Sequence, residues 1–501
     1  MKKSKSKIAV FATVILLFSA IGCKKDYLDV NTDPNLPSEI SINLALPSAQ
    51  LAIGSVMGNN FHSIGGIYGQ FFTQSPAASQ FKTFEQYNPG AEKFDWPWRI
   101  LYADCLEDCK YIVSSGTEQG LSQYVACAKI MQAYAFQILT DNFGDVPYTE
   151  ANLGNSGIIS PHYDSQQDVY NGIIAKIEEG IALIDENNTG HPLEDDLFFQ
   201  GDMGMWRKFA NTLKLRVDLR LAYVDAGKAQ AGIEALSTSG AQFLTAGESV
   251  RIDYTTTAGN THPYFSFVVG VGGTQNLVAS NTAIDNFIAN NDTNRLAVLY
   301  APSPAGVIQG IPQGAYNLPA STPVSFPGTL TGANTDDPNT AAADVILVSD
   351  YESYFLQSEA AARGWLTSTG TAEDLYKDGI QASFDALGFT DHSDPAVYDG
   401  SGNLLYLSEP AVVFPAGGSL EDKIKAIITQ KWYAICGTQG DEAWIEWRRT
   451  NYPDFFVQSA NNIMGASVWP YRLFYPSTEV TRNINFPGQK TIDTKVWWDV
   501  N

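Results

Sequence analysis

Glu442 and Glu446 stand one helical turn apart in the run DEAWIEWRR (441–449), with Trp444 and Trp447 beside them. Two carboxylates next to tryptophans are what a glycoside hydrolase uses: one acid protonates the leaving oxygen, the other attacks or activates water. Arg448 and Arg449 fall in the same turn and would neutralise both acids, so the run reads first as a structural ion-pair network. The sequence has no G-x-S-x-G, no H-E-x-x-H and no G-x-x-x-x-G-K-S/T, and GVGGTQ (270–275) lacks the third glycine of a dinucleotide fingerprint. Asp141 and Asp145 in DNFGDVPY, and the acidic run NTDDPN (334–339), offer oxygens to calcium but lack EF-hand spacing, and they read as solvated turns. His62, His162, His191, His262 and His392 are scattered singly, and Cys105 and Cys109, at i and i+4, read with Cys127 and Cys436 as buried thiols. No catalytic residue, metal or cofactor is therefore assigned.

A second chemistry is better supplied. Sugar capture needs flat apolar faces for C–H surfaces and short polar groups for hydroxyls. Two long stretches poor in regular pattern, 58–97 and 260–344, hold both. Within them Trp96, His262, Tyr264, Phe265, Asn276 and Tyr316 lie near turn-marking Pro or Gly and are the candidate ligand contacts. Tyr68, Phe71, Phe72, Trp98 and Tyr102 are read as core.

Helices must position these segments. Apolar residues recur at three- and four-residue steps over 42–56, 98–114, 121–140, 167–185, 205–224, 350–364 and 372–387. The segment 121–140 is apolar on several faces and belongs at the centre. A last pair runs from Leu420 to Cys436 and on from Asp441, read as an N-cap, to Pro453, with Gly437 and Gly440 at the turn; it reads as an αα-hairpin. Ala372, Tyr376, Gly379 and Ile380 give the small–aromatic–small spacing of tetratricopeptide-like hairpins. The expected fold is mainly α, with TPR-like helix pairs forming a scaffold and long irregular ligand-binding loops.

The N-terminus reads as an address. Lys2, Lys3, Lys5 and Lys7 precede an apolar run over 8–20, too short for a comfortable span, and small residues then lead to Cys23. The expectation is a lipoprotein signal at 1–22, a lipidated Cys23 with a polar tether to residue 38, and one domain over 39–501. Removing 1–22 leaves 27 basic and 54 acidic side chains, a net charge near −27. Such a surface argues against nucleic acid and against charge-driven binding to anionic lipid.

QKW (430–432), EAWIEWRR (442–449) and the following Tyr452–Pro453 resemble the C-terminal signature of the SusD/RagB-like family. CKKDYLDVNTDPN (23–35), TDNFGDVPYTEA (140–151), WRKFANTLKLRVDLRLA (206–222), YFLQSEAAARGW (354–365) and YRLFYPSTEVTRNINF (471–486) resemble further signatures in the same order. The resemblance covers nearly the whole chain. It implies a non-catalytic outer-membrane surface lipoprotein that binds oligosaccharide and delivers it to a SusC-like TonB-dependent transporter. An oligopeptide-binding component of a similar importer, as in the RagB branch, and a surface glycoside hydrolase using Glu442 or another acid remain as alternatives. The resemblance carries over no specific ligand residue.

Overall fold

The structure is a computed structural model that describes residues 40–270 and 273–501; the signal, Cys23 and tether expected at 1–38 lie outside these residues. Most helical periodicities of the sequence are realised close to where they fall. The principal helices are α1 (Ile42–Val56), α2 (His62–Tyr68), α3 (Glu107–Gln119), α4 (Ser122–Phe143), α5 (Gln166–Leu183), α6 (Met203–Arg220), α7 (Ala226–Thr238), α8 (Asp350–Ala362), α9 (Ala372–Ala386), α10 (Leu420–Ala434) and α11 (Gly440–Thr450). Their starts are written in the sequence. Ser165, Asp202, Thr371 and Ser419 each accept a hydrogen bond from a first-turn N–H of α5, α6, α9 and α10. Each such cap contributes about 1 kcal/mol. At α10 the cap is reciprocal, because the Asp422 carboxylate takes the Ser419 N–H at 2.9 Å.

Helix α4 is buried nearly all round, as a centrally placed apolar helix must be. It packs between α3 and α5; α5 packs on α6, α6 on α7 and α8, and α8 on α9 and α10. This succession of stacked helix pairs is the mainly α, TPR-like scaffold. Helix α7 has only a narrow stripe, Ala229, Ile233 and Leu236, which closes a small separate core with Leu215, Leu219 and Leu356. Helix α3 is preceded by Asp95–Arg99 and a π-helical stretch, Ile100–Leu106, so the helix expected at 98–114 is longer and locally unwound.

The last pair departs from the expected αα-hairpin. Helix α10 lies on α8 and α9, whereas α11 turns away and lies along α2. Glycines allow that approach: a Cβ on Gly65 would stand 2.1 Å from the Asp441 nitrogen, and one on Gly440 would stand 2.4 Å from the Gly66 nitrogen. Gly440 is thus a packing residue inside the helix rather than a break. Asp441 makes no capping bond; its carboxylate is buried against Asn142 Nδ2 at 3.1 Å. The helix ends at Asn451, in the left-handed region with φ of 58°, before Pro453 is reached.

The two long segments read as irregular are threaded with short elements. Strand β1 (Phe72–Gln74) pairs antiparallel with β3 (Leu277–Ala279), and at the borders of the second segment β2 (Val250–Ile252) pairs with β4 (Val345–Val348). Short helices Pro263–Gly270, Asn281–Ala289 and Thr293–Leu299 lie in the second segment. The β1–β3 ladder therefore joins the two segments to each other, and both share the core of the unit Ile42–Asn501.

Candidate ligand-binding site

The paired acids of α11 are sealed. Glu442 accepts from Arg220 Nη2 at 2.9 Å and from Lys431 Nζ at 2.9 Å. Glu446 pairs with Arg220 and with Arg449, which also holds Glu359 at 2.6 Å. Lys431 reaches Glu352 at 3.1 Å, and Arg216 grips the same carboxylate. Four carboxylates and four cations from α6, α8, α10 and α11 thus neutralise one another out of reach of solvent. Burial raises the Glu442 carboxyl; against the same burial, Arg449, Lys431 and Arg220 hold Glu446 well below the usual carboxylate range. An acid pair for glycoside hydrolysis must meet its substrate, and among the described residues the carboxylates of these two are held by Arg220, Lys431 and Arg449. Asp141, read as part of a solvated turn, is likewise buried, accepting from Trp498 Nε1 at 2.8 Å and from Tyr170. Cys105, Cys109, Cys127 and Cys436 are buried free thiols.

The loop aromatics divide. Trp96 is 39% exposed, and Phe265 is half-buried on the helix Pro263–Gly270. His262 and Tyr264 are buried in a box with His62, whose ring lies 5.7 Å from His262 and 5.6 Å from Tyr264. Burial pulls the His62 imidazole down to about 4 and His262 well below its usual range, so both are neutral. Asn276 is buried, accepting from the Gln80 N–H at 3.2 Å and donating to the Gln80 side chain at 3.1 Å. Tyr316 is buried beneath Lys82, whose Nζ stands 5.2 Å from the ring, and its hydroxyl accepts from Gln86 at 2.8 Å. In this structure these four residues make packing contacts that fix the loops, while Trp96 and Phe265 reach the surface.

What the loops build between them is a cleft of about 250 Å³. The β1–β3 pairing sets Ser75, Pro76 and Ala77 beside Thr274 and Gln275, and the Ser75 N–H donates to the Asn276 carbonyl at 2.7 Å. The segment 320–326 closes the other wall, tied in by the Ala279 N–H on the Ser325 carbonyl at 2.9 Å. The buried Glu85 carboxylate accepts from Thr73 Oγ1 of β1 at 2.6 Å and from Gln313 Nε2 at 3.1 Å, a further tie between the two segments. Pro76, Pro304, Pro323 and Phe326 give the cleft apolar surface; Ser75, Thr274, Gln275, Ser321 and Thr322 give it hydroxyls and an amide. Among the described residues no charged side chain lines it. A larger cleft of about 350 Å³ between the β2–β4 pair and α8 and α9 is different, with Arg251, Asp344, Asp350 and Asp385 on its walls. The aromatics of the two segments do not mark the uncharged cleft, whose Ser, Thr and Pro residues are not among the candidates; the signal that marks them, hydroxyl residues next to prolines, is present at 75–76 and 321–323.

Comparison with known proteins bears on the scaffold. A SusD-like family model, described as starch-binding associating with outer membrane, matches residues 34–476. Among solved structures, a chitin-binding SusD homologue from Flavobacterium johnsoniae is 22% identical, with a TM-score of 0.75 over 92% of this chain and 99% of that one. A SusD homologue from Bacteroides uniformis is 25% identical, with a TM-score of 0.73 over 92% and 100%. A further structure titled chitin-binding protein is 25% identical, with a TM-score of 0.75 over 92% and 100%. No curated protein sequence matches the chain.

Proposed function

The chain belongs to the SusD-like family, and on that premise we propose that it is a non-catalytic surface protein that binds a neutral oligosaccharide in the cleft between its two long segments. In this reading Cys23 carries the lipid anchor at the outer membrane, and the captured sugar passes to a SusC-like TonB-dependent transporter. One observation carries the ligand class: in a chain of net charge −23, the cleft built by both long segments bears no charge and alternates proline and aromatic surface with hydroxyls and an amide. Neutral sugars need that combination, because their ring faces are apolar and their rims are hydroxyls. The family's starch-binding description and the chitin-binding structural neighbours support the same class. Trp96 and Phe265 are proposed as outer contacts, and His262, Tyr264, Asn276 and Tyr316 as the residues that shape the walls. Among the described residues no helix is long and apolar enough to cross a membrane.

The test is calorimetry of the chain from Lys24 onward against a panel of neutral oligosaccharides and mixed peptides, with chromatography of the ligand afterwards. Heat with one glycan class and intact ligand supports capture. Heat with peptides alone moves the chain to the peptide-import reading, and new reducing ends would overturn the non-catalytic role. Co-purification with a TonB-dependent transporter tests delivery separately.

A further inference from the structure

A second pocket, of about 220 Å³, shares no lining residue with the uncharged cleft. Its walls are Trp98 and Tyr102 from the helical segment before α3, Pro147 and Asn152 after α4, Pro161, and Glu479 from the short helix Ser477–Arg482. The aromatic side is rigid. Tyr102 donates its hydroxyl to the Pro147 carbonyl at 2.7 Å, and the Trp98 ring is held 4.9 Å from Tyr102 and 6.4 Å from Tyr163. The carboxylate is fixed but not neutralised. Glu479 Oε2 accepts from Tyr163 Oη at 2.8 Å and from Asn483 Nδ2 at 3.0 Å. Among the described residues no Lys, Arg or His forms an ion pair with Glu479, and its Oε1 accepts no hydrogen bond, although Arg482 is one turn away on the same helix. The half-buried charge is felt nearby: burial, and then Glu479, raises the Tyr163 and Tyr102 phenols well above their usual range.

Two aromatic side chains and a carboxylate with no ion-pair partner among the described residues, around one small space, attract a compact organic cation. The space is about 220 Å³ and is bounded by side chains from four separate stretches of the chain. We propose that this pocket is a subsite for a primary ammonium group carried on a sugar ring, so that a glycan containing free amino sugars is held at Glu479 in addition to the uncharged cleft. The sugar part rests on the function proposed above; the ammonium part rests on the pocket alone.

The test is calorimetric titration of the chain from Lys24 onward with glucosamine oligomers and with N-acetylglucosamine oligomers of equal length. The expected result is a preference for the free amine of about tenfold or more, falling with added salt. Glu479→Gln keeps the shape and should abolish the preference. Ala103→Trp, at an exposed position on the pocket wall, should block it without touching the core. Equal affinity for both oligomers, or a preference that survives in both variants while they melt like the parent, overturns the proposal. Lysine-containing peptides bound through Glu479 when amino sugars are not would overturn the sugar assignment. Binding of neutral oligosaccharides in Glu479→Gln reports on the cleft separately, so failure of one site is distinguishable from failure of the other.

Discussion

The centre of the scaffold and the cleft between the loops treat charge in opposite ways. Between α6, α8, α10 and α11, Arg216, Arg220, Lys431 and Arg449 are buried with Glu352, Glu359, Glu442 and Glu446. Among the described residues the cleft at 75–77, 274–275, 304 and 320–326 is lined by no charged side chain. Desolvated ion pairs fix geometry, because each partner is costly without the other, and they bring no catalytic function to the acids they enclose. A charge in the cleft would have to be desolvated by each neutral ligand that entered. The motif that looked most like chemistry, two acids beside tryptophans, is therefore scaffold, and the surface suited to binding is made of residues with little sequence signature.

The largest expected effect tests the scaffold side. Arg220→Met removes the cation shared by Glu442 and Glu446 and should cost about 3–5 kcal/mol in chemical denaturation, because buried carboxylates lose their partner. A loss below about 1 kcal/mol would mean that the network is not fixing the helices.

A pH experiment comes next. His62 is held down to about 4 against 6.5, so its contribution is fully present above pH 6.5 and is lost as pH falls toward 4, where the unfolded chain takes up the proton. The difference corresponds to about 3 kcal/mol. Asp441, whose carboxyl burial pushes up to about 7, works in the opposite direction. The readout is therefore the stability of His62→Phe relative to the parent, which should rise steadily from pH 7 to pH 4.5; a flat difference would contradict a neutral buried imidazole.

Gly440→Ala would place a Cβ 2.4 Å from the Gly66 nitrogen, and should destabilise by about 1–3 kcal/mol as α11 is forced off α2. An unchanged melting temperature would show that the two helices can part without loss. On the cleft side, Phe326→Ala should leave the melting temperature within a few degrees of the parent and weaken oligosaccharide binding about tenfold, the loss of one apolar platform.

How much of this was legible depends on how local the information is. Helices such as Ile42–Val56 and Ala372–Ala386 announce themselves by periodicity, and Ser165, Asp202 and Ser419 mark starts because a cap is written within a few residues. Helix α7 is alanine-rich and buries only a narrow stripe, so its apolar periodicity is too weak to mark it. Asp441 has the residue type of a cap, but its partner is Asn142, 299 positions away, and nothing local reveals that. Tyr264 and Trp96 look equally suited to a ligand in the sequence; one is enclosed by His62 and Phe81, the other is left outside. The cleft is the least legible part, because β1 and β3 are three residues each and its walls come from four separated pieces of chain.

The most direct test of capture through an uncharged cleft is the affinity of neutral oligosaccharides for the parent and for Phe326→Ala, measured at low and at high salt. The expected result is one affinity at both salt concentrations for the parent, because no charge is desolvated or screened, and an approximately tenfold weaker one in Phe326→Ala with melting preserved. Affinity that falls steeply with salt, or that is unchanged in Phe326→Ala, would contradict it.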